Sequence, residues 1–445
     1  MNLFERSIRS DYTLGYSVDL INDTYAQHGN RASIIHITLR IMTGFVVAAN
    51  FLAAVQAGPL TLLGYVTILF LIVAGLVLTF RTGATLMIFK PLFFWGAFIV
   101  WMCISFAVSG ITVPQPPIAI AALIAIMALS GINAWAVPNE VHALHTILRW
   151  AFIANAGFSL VIVLGRIPAD YYLGSRTLAI VALLGLAVTL SYWRAGHPLW
   201  FFVSIGMWLV PLVTFSRTAT ICGVFLFPLS ASRSQDPGRR WTKRLILVML
   251  AGCGFYGATQ IFPEFENRFF FGRSTQDFFN GKATLDTAGR AEMWQAVIES
   301  WSSTPQTMLI GQGAGSSGVA ASKGVSSMNH PHNDYLGLLH DYGIIGFSIF
   351  VTAFFLLLRG RWRAWSRAEE SGSRHAVIHS AAFLITSAFA VMMFTDNPLE
   401  YFFAILPTAV IVGSSVGVEM HESSLARSRG NEMFSSASET CQRPS

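Results

Sequence analysis

Residues 330–343 read His330-Pro331-His332-Asn333-Asp334-Tyr335-Leu336, continue through Leu339-His340-Asp341-Tyr342, and turn at Gly343 into the apolar run 344–358. An imidazole, an amide and a carboxylate therefore stand at the lip of a membrane helix, at the depth of a lipid head group and within reach of water. Imidazole ordinarily titrates near pH 6.5, so a neutral histidine here is a usable general base. Asn333 or Asp334 is placed to cap a short helix that reaches Asp341 and stops at Gly343. His332 would then sit just outside the cap, partly solvated. His330, His332, Asp334 and His340 are also metal-ligand types. Pro331, however, imposes an extended dipeptide, and alternate residues of an extended strand, with no Cys or second acidic cluster beside them, make a poor cage. No metal and no cofactor is expected.

Two arginines add anion-binding chemistry. In Ser216-Arg217-Thr218 a guanidinium lies at the junction of two apolar runs, close to the hydrocarbon edge, where it costs a few kcal/mol unless something negative compensates it. Either a phosphate or an acidic side chain meets that need. Between 288 and 301 the residues Ala291, Trp294, Val297, Ile298 and Trp301 recur at helical spacing, which predicts an amphipathic helix lying on the bilayer surface, with Asp286 or Thr287 as N-cap and Pro305 as the stop. Arg290 falls in its first turn, an end that already attracts anions. A phosphate held jointly by Arg290 and the free N–H groups explains the mismatch; an exposed Arg paired with Glu292 or Glu266 is the alternative. Asp396 and Glu400 flank Pro398, suited to hold hydroxyl groups of a bound molecule or to pair with Arg217. The glycine-rich run 311–318 follows no predicted strand and lacks the lysine of a phosphate loop, so it reads as a turn.

The elements that must position these groups are membrane helices. Of 445 residues 53% are hydrophobic and only 12% charged, far from the roughly 25% charge of a soluble domain. Runs near the ~20 residues needed to cross a bilayer occur at 33–54, 60–80, 91–109, 117–137, 146–165, 176–193, 198–215, 217–230, 245–262, 344–358, 376–394 and 399–418. The fold class is an all-α polytopic bundle of about twelve spans. Its segments are 1–32 (cytoplasmic, with no cleaved signal peptide expected), 33–262 (nine spans), 263–342 (a large extracytoplasmic loop), 343–418 (three spans) and 419–445 (a disordered cytoplasmic tail). The net charge of +6 reflects basic residues gathered in alternate loops, among them Arg239, Arg240, Lys243, Arg361, Arg363 and Arg367. By the positive-inside rule they face the cytoplasm and 263–342 faces out. A nucleic-acid partner is not implied, and the four cysteines form no pair in an outer loop.

His332-Asn333-Asp334-Tyr335-Leu336 followed by Gly343-Ile344-Ile345-Gly346 resembles the signature of the O-antigen ligase and Wzy-type polymerase superfamily, including ExoQ-like exopolysaccharide proteins. Ser216-Arg217-Thr218, Gly289-Arg290 with Trp294, and Gly311-Gln312-Gly313 match in order and side. The resemblance covers roughly 215–358. It implies a metal-independent, inverting GT-C-type glycosyltransferase in the bacterial inner membrane with its site facing the periplasm. The donor would be a polyprenyl-diphosphate-linked oligosaccharide and the acceptor a lipid-linked chain or lipid A core, alongside polysaccharide export or chain-length proteins. By the same resemblance His332 is the general base, Arg217 and Arg290 bind the donor diphosphate, and His330, Asn333, Asp334, Asp396 and Glu400 are supporting residues. Few basic residues in the outer loop favour a polymerase over a ligase. A polysaccharide transporter or flippase is the alternative of another class.

Overall fold

Close packing of small residues sets the centre of the bundle. The structure, a computed structural model, describes residues 56–57, 60–61, 82–110, 112–113, 115–164, 175–214, 216–231, 242, 245–250, 252–254, 256–257, 289–326 and 330–441. The expected first span, most of the second, the basic stretch around Arg240 and residues 258–288 lie outside them. Among the described residues the bundle comprises α1 (Thr82–Ser109), α2 (Gln115–Ala136), α3 (Glu140–Leu164), α4 (Ser175–Arg194), α5 (Leu199–Val213) and α6 (Arg217–Ser230), then α7 (Arg290–Trp301), α8 (Pro305–Ile310) and α9 (Ser316–Gly324), and finally α10 (Asp334–Glu370), α11 (Ala376–Met392) and α12 (Phe402–Cys441). Gly413 and Gly417 of α12 face α2 so closely that a Cβ would stand 2.2 Å from the Met127 carbonyl oxygen and 2.0 Å from that of Gly131. Two glycines one turn apart thus let the backbones of α2 and α12 touch, the membrane solution to packing where lipid offers no hydrophobic drive.

The chain is a polytopic helical membrane protein. Among the described residues six helices are long and apolar enough to cross a bilayer, Leu92–Ser109, Pro116–Ala136, Glu140–Val161, Thr177–Arg194, Asp334–Glu370 and Phe402–Ser428, and the apolar helices Leu199–Val213, Arg217–Ser230, Leu245–Gly254 and Ala376–Met392 are shorter. The expected all-α class is qualified by one small hairpin, Gln56–Ala57 paired antiparallel with Leu60–Thr61, at the start of the expected second run. α3 begins at Glu140, six residues before the expected 146, because its polar first turns find partners: the His142 ring stacks on His375 at 5.1 Å. α12 continues to Cys441 where a disordered tail was expected from 419. Its extension is tied down. Glu419 bonds the buried Arg361 and Arg367 of α10, and Glu422 accepts from Ser373 Oγ at 2.9 Å and meets His375 Nδ1 at 2.9 Å.

At the other end a layer of three small helices caps α10. Met293 and Val297 of α7 are buried on Ala320 and Ala321 of α9, with Trp294, Val325 and Leu336 packed around them. Of the apolar stripe expected to lie on the bilayer, Val297 and Trp294 pack on protein, while Ala291 and Ile298 stay exposed. The N-cap of α7 is Gly289, at φ 73°, rather than Asp286 or Thr287. Pro305 opens α8 behind a Thr304 capping box, so the proline both ends one helix and starts another. The glycine-rich run does cradle an anion, and that anion is the chain's own: Gly315 N and Ser317 N donate to the two oxygens of Asp341 at 2.7 and 2.8 Å, and Ser316 Oγ donates at 3.2 Å. His340 joins the same network through Ser316 Oγ and Ser300 Oγ, both at 3.1 Å. α10 kinks beside it at Gly343, φ 65° and ψ −179°, which separates the short outer segment 334–342 from the long span, as the sequence predicted.

Candidate functional site

The site is built where 330–334 meets the turn between α11 and α12. Asn333 is the N-cap of α10, its side-chain oxygen accepting from Leu336 N at 3.1 Å, the geometry that satisfies one of the open N–H groups of a first turn. Asp334 begins the helix and turns the other way: its N–H donates to the Met393 carbonyl at 2.8 Å and its Oδ2 accepts from Leu399 N at 2.9 Å. Tyr335 OH donates to the Ala390 carbonyl at 3.0 Å. These three bonds clamp the 393–401 turn across the start of α10. A 3-10 turn, Pro398–Glu400, gives that segment its bend.

The clamp decides the setting of His332. The imidazole lies 4.0 Å from Asp396 by its Nδ1, beyond hydrogen-bond distance, with the carboxylate facing the ring. Asp396 is itself fixed, accepting from Asn397 N at 2.9 Å and Tyr401 OH at 3.2 Å. His332 is only 8% exposed, so the expectation of a partly solvated base is corrected: the turn carrying Asp396 covers it. Nor is the backbone extended there. His332 adopts φ 49°, the left-handed region that a non-glycine residue occupies at a cost of order 1–3 kcal/mol and that recurs at functional sites. His330 points to the rim, its side chain 45% exposed, and its Nδ1 meets Glu400 Oε2 at 2.7 Å. The two carboxylates expected near the last span thus each face a histidine of the 330–332 pair.

The arginine-bearing helices reach the same place. Thr218, next to Arg217 in the first turn of α6, shares a 2.7 Å hydroxyl contact with Thr395, the neighbour of Asp396. Trp294, one turn after Arg290 on α7, donates its Nε1–H to the Pro331 carbonyl at 2.8 Å. Both guanidiniums are half-buried and both sit at helix N-termini, where the backbone favours anions. Among the described residues no group of three or more His, Cys, Asp or Glu is arranged to hold a metal ion. The sequence singled out Asp396 but not the Tyr401 and Thr395 that fix its position. Their signal was proximity in the chain to an acidic residue at a span edge, which is weak by itself.

A family model described as O-antigen ligase (Wzy_C) matches residues 169–351. That match makes residues 169–351 similar to the O-antigen ligase/Wzy-type superfamily. The match supports glycosyl transfer of the ligase or polymerase type by a membrane protein. It spans Arg217, Arg290, His330, His332, Asn333 and Asp334 and stops short of Asp396 and Glu400, so the carboxylates facing both histidines come from beyond the matched stretch. No curated protein matches the chain.

Proposed function

We propose that this O-antigen ligase-type chain is a metal-independent, inverting glycosyltransferase that joins a saccharide carried on a polyprenyl diphosphate to an acceptor sugar hydroxyl at the periplasmic face of a bacterial inner membrane. The observation that carries this reading is the pair of tethers, Thr218 to Thr395 and Trp294 to Pro331, which bring two arginine-bearing helix N-termini to the histidine. The acceptor hydroxyl gives its proton to Nε2 of His332 as its oxygen attacks the anomeric carbon. The bond from that carbon to the diphosphate breaks on the opposite face, and its electron pair leaves with the diphosphate. Arg217 and Arg290 stabilise the charge that grows there by bidentate contacts, and a diphosphate departs without a general acid. Asp396, 4.0 Å from Nδ1, stabilises by its charge the imidazolium that forms. Glu400 and His330, at the rim, receive acceptor hydroxyls, while Asn333 and Asp334 hold the base in place.

Repeat-unit polymerisation for a cell-surface or exopolysaccharide is our first reading of the product. The few basic residues in the outer loop give little to dock a phosphorylated core. A second reading, ligation of the finished glycan to lipid A core, is favoured by the description of the matching family. Purified protein supplied with polyprenyl-diphosphate oligosaccharide and either acceptor tests both. Chain growth or core attachment should fall by about 10²–10⁴ in His332→Ala, drop in Asp396→Asn, and persist in EDTA. Movement of lipid across the bilayer with no new glycosidic bond would overturn the proposal in favour of a transporter, and full activity in His332→Ala would remove the base.

A further inference from the structure

The end of the bundle opposite His332 holds a polar cavity. Beyond its kink at Gly343, α10 runs on to Glu370, roughly 40 Å at 1.5 Å per residue, and α11 returns from Ala376, so the last turn of α10 and the first turn of α11 lie at the far membrane boundary. There, with the end of α4, they enclose a cavity of about 460 Å³ lined by Arg194, Trp365, Glu369, Ser373, Arg374 and Ser380, among others. Its depth is that of lipid head groups. Tyr192, Trp193, Trp200, Trp362 and Trp365 gather at the same end, with Arg149 over the Tyr192 and Trp200 rings at 4.3 and 4.4 Å, the aromatic and cationic company of an interface.

The charges of the cavity are unequal. Glu369 is already committed: its oxygens accept from Arg194 Nε and Nη2 at 3.0 and 3.3 Å, and from Trp365 Nε1 at 2.8 Å. Arg374 remains as surplus. Its guanidinium donates to the neutral amide oxygen of Asn139, and among the described residues no carboxylate lies within ion-pair distance of it. The first turn of α11 lines the same cavity through Ala376, Val377 and Ser380, adding the positive end of a 17-residue helix. One wall is polar and cationic; the other, Trp365, Ala368 and Val377, is apolar.

We propose that this cavity binds the phosphate of an anionic phospholipid of the leaflet opposite the sugar-transfer site, with Arg374 as its charged contact, Arg194 beside it and the lipid's glycerol against the apolar wall. Basic cavities between membrane helices at the cytoplasmic boundary suit such head groups. The test uses the purified full chain in nanodiscs of phosphatidylcholine alone or mixed with phosphatidylglycerol, reading co-purified lipid by native mass spectrometry and thermal midpoint. Wild type should retain phosphatidylglycerol and melt higher in the mixed discs. Arg374→Gln should weaken retention about tenfold or more, the value of one charge-assisted hydrogen bond. Val377→Trp, which fills the cavity without touching charge, should do the same. Inorganic phosphate that displaces the lipid supports the shared phosphate chemistry; phosphate that raises the midpoint in phosphatidylcholine discs as far as phosphatidylglycerol does would replace the lipid by a soluble anion. Retention and midpoint unchanged in both variants would overturn the proposal.

Discussion

Gly343→Ala is the substitution whose cost follows most directly from geometry. A Cβ at Gly343 would stand 2.2 Å from the Leu309 carbonyl oxygen, 2.4 Å from its carbon and 2.5 Å from Ile310 N, all backbone atoms of α8 that cannot rotate away. The dihedrals, φ 65° and ψ −179°, lie in a region essentially reserved for glycine, at a cost of about 1–3 kcal/mol for any other residue. Overpacking against a fixed neighbour adds about 1–3 kcal/mol, so the total is roughly 2–6 kcal/mol. Gly360, on the same helix, is the control: a Cβ there meets nothing within 4 Å, and alanine should be neutral or stabilising by up to ~1 kcal/mol. Reversible unfolding of the two purified variants in mild detergent reads the difference, and sugar transfer should fail in Gly343→Ala because segment 334–342 follows directly on the Asn333 cap beside His332. Equal stability of the two variants within ~0.5 kcal/mol, the scatter of innocuous substitutions, would refute the reasoning.

If His332 accepts the proton, kcat/KM for sugar transfer should fall as acid protonates the imidazole, about tenfold per pH unit on the acid limb; an acid limb that persists unchanged in His332→Ala would contradict a histidine base. Asp341→Asn should cost about 1–3 kcal/mol, since one amide oxygen cannot serve Gly315 N, Ser316 Oγ and Ser317 N together and the amide protons would face donors; thermal unfolding checks it. Trp294→Phe removes the 2.8 Å bond to Pro331 for about 1 kcal/mol of stability while loosening α7 and Arg290 from the histidine loop. Initial rates should therefore fall by more than the melting temperature suggests, and rates equal to wild type would disconnect that tether from function.

The sequence made the membrane helices from residue 91 onward readable, because apolar runs near bilayer length leave few other folds. The Asn333 cap and the Gly343 break were readable too, since each follows from local backbone chemistry. What escaped were features that depend on partners distant in the chain. An apolar-run criterion stops at His142 and His145, yet α3 carries them because α11 and α12 supply neighbours. Composition made 419–445 look disordered, whereas Glu419 and Glu422 are anchored by Arg361, His375 and Ser373. The periodicity of α7 was right, but the sequence could not divide its apolar residues: Met293 and Val297 went to Ala320 and Ala321, while Ile298 stayed exposed. The burial of His332 follows from the turn at 393–401, sixty residues on in the chain.

The wedge at Gly343 also governs how the outer part of the molecule responds to a bulky ligand. α10 is otherwise an uninterrupted rod from Gly343 to Glu370, and its single natural hinge is jammed by the Leu309 carbonyl. A hinge with a stop beside it does not swing alone. The cap segment and the three small helices are therefore held as one body, and the bonds of Asp334 to Met393 and Leu399 fasten that body to the turn that carries Asp396.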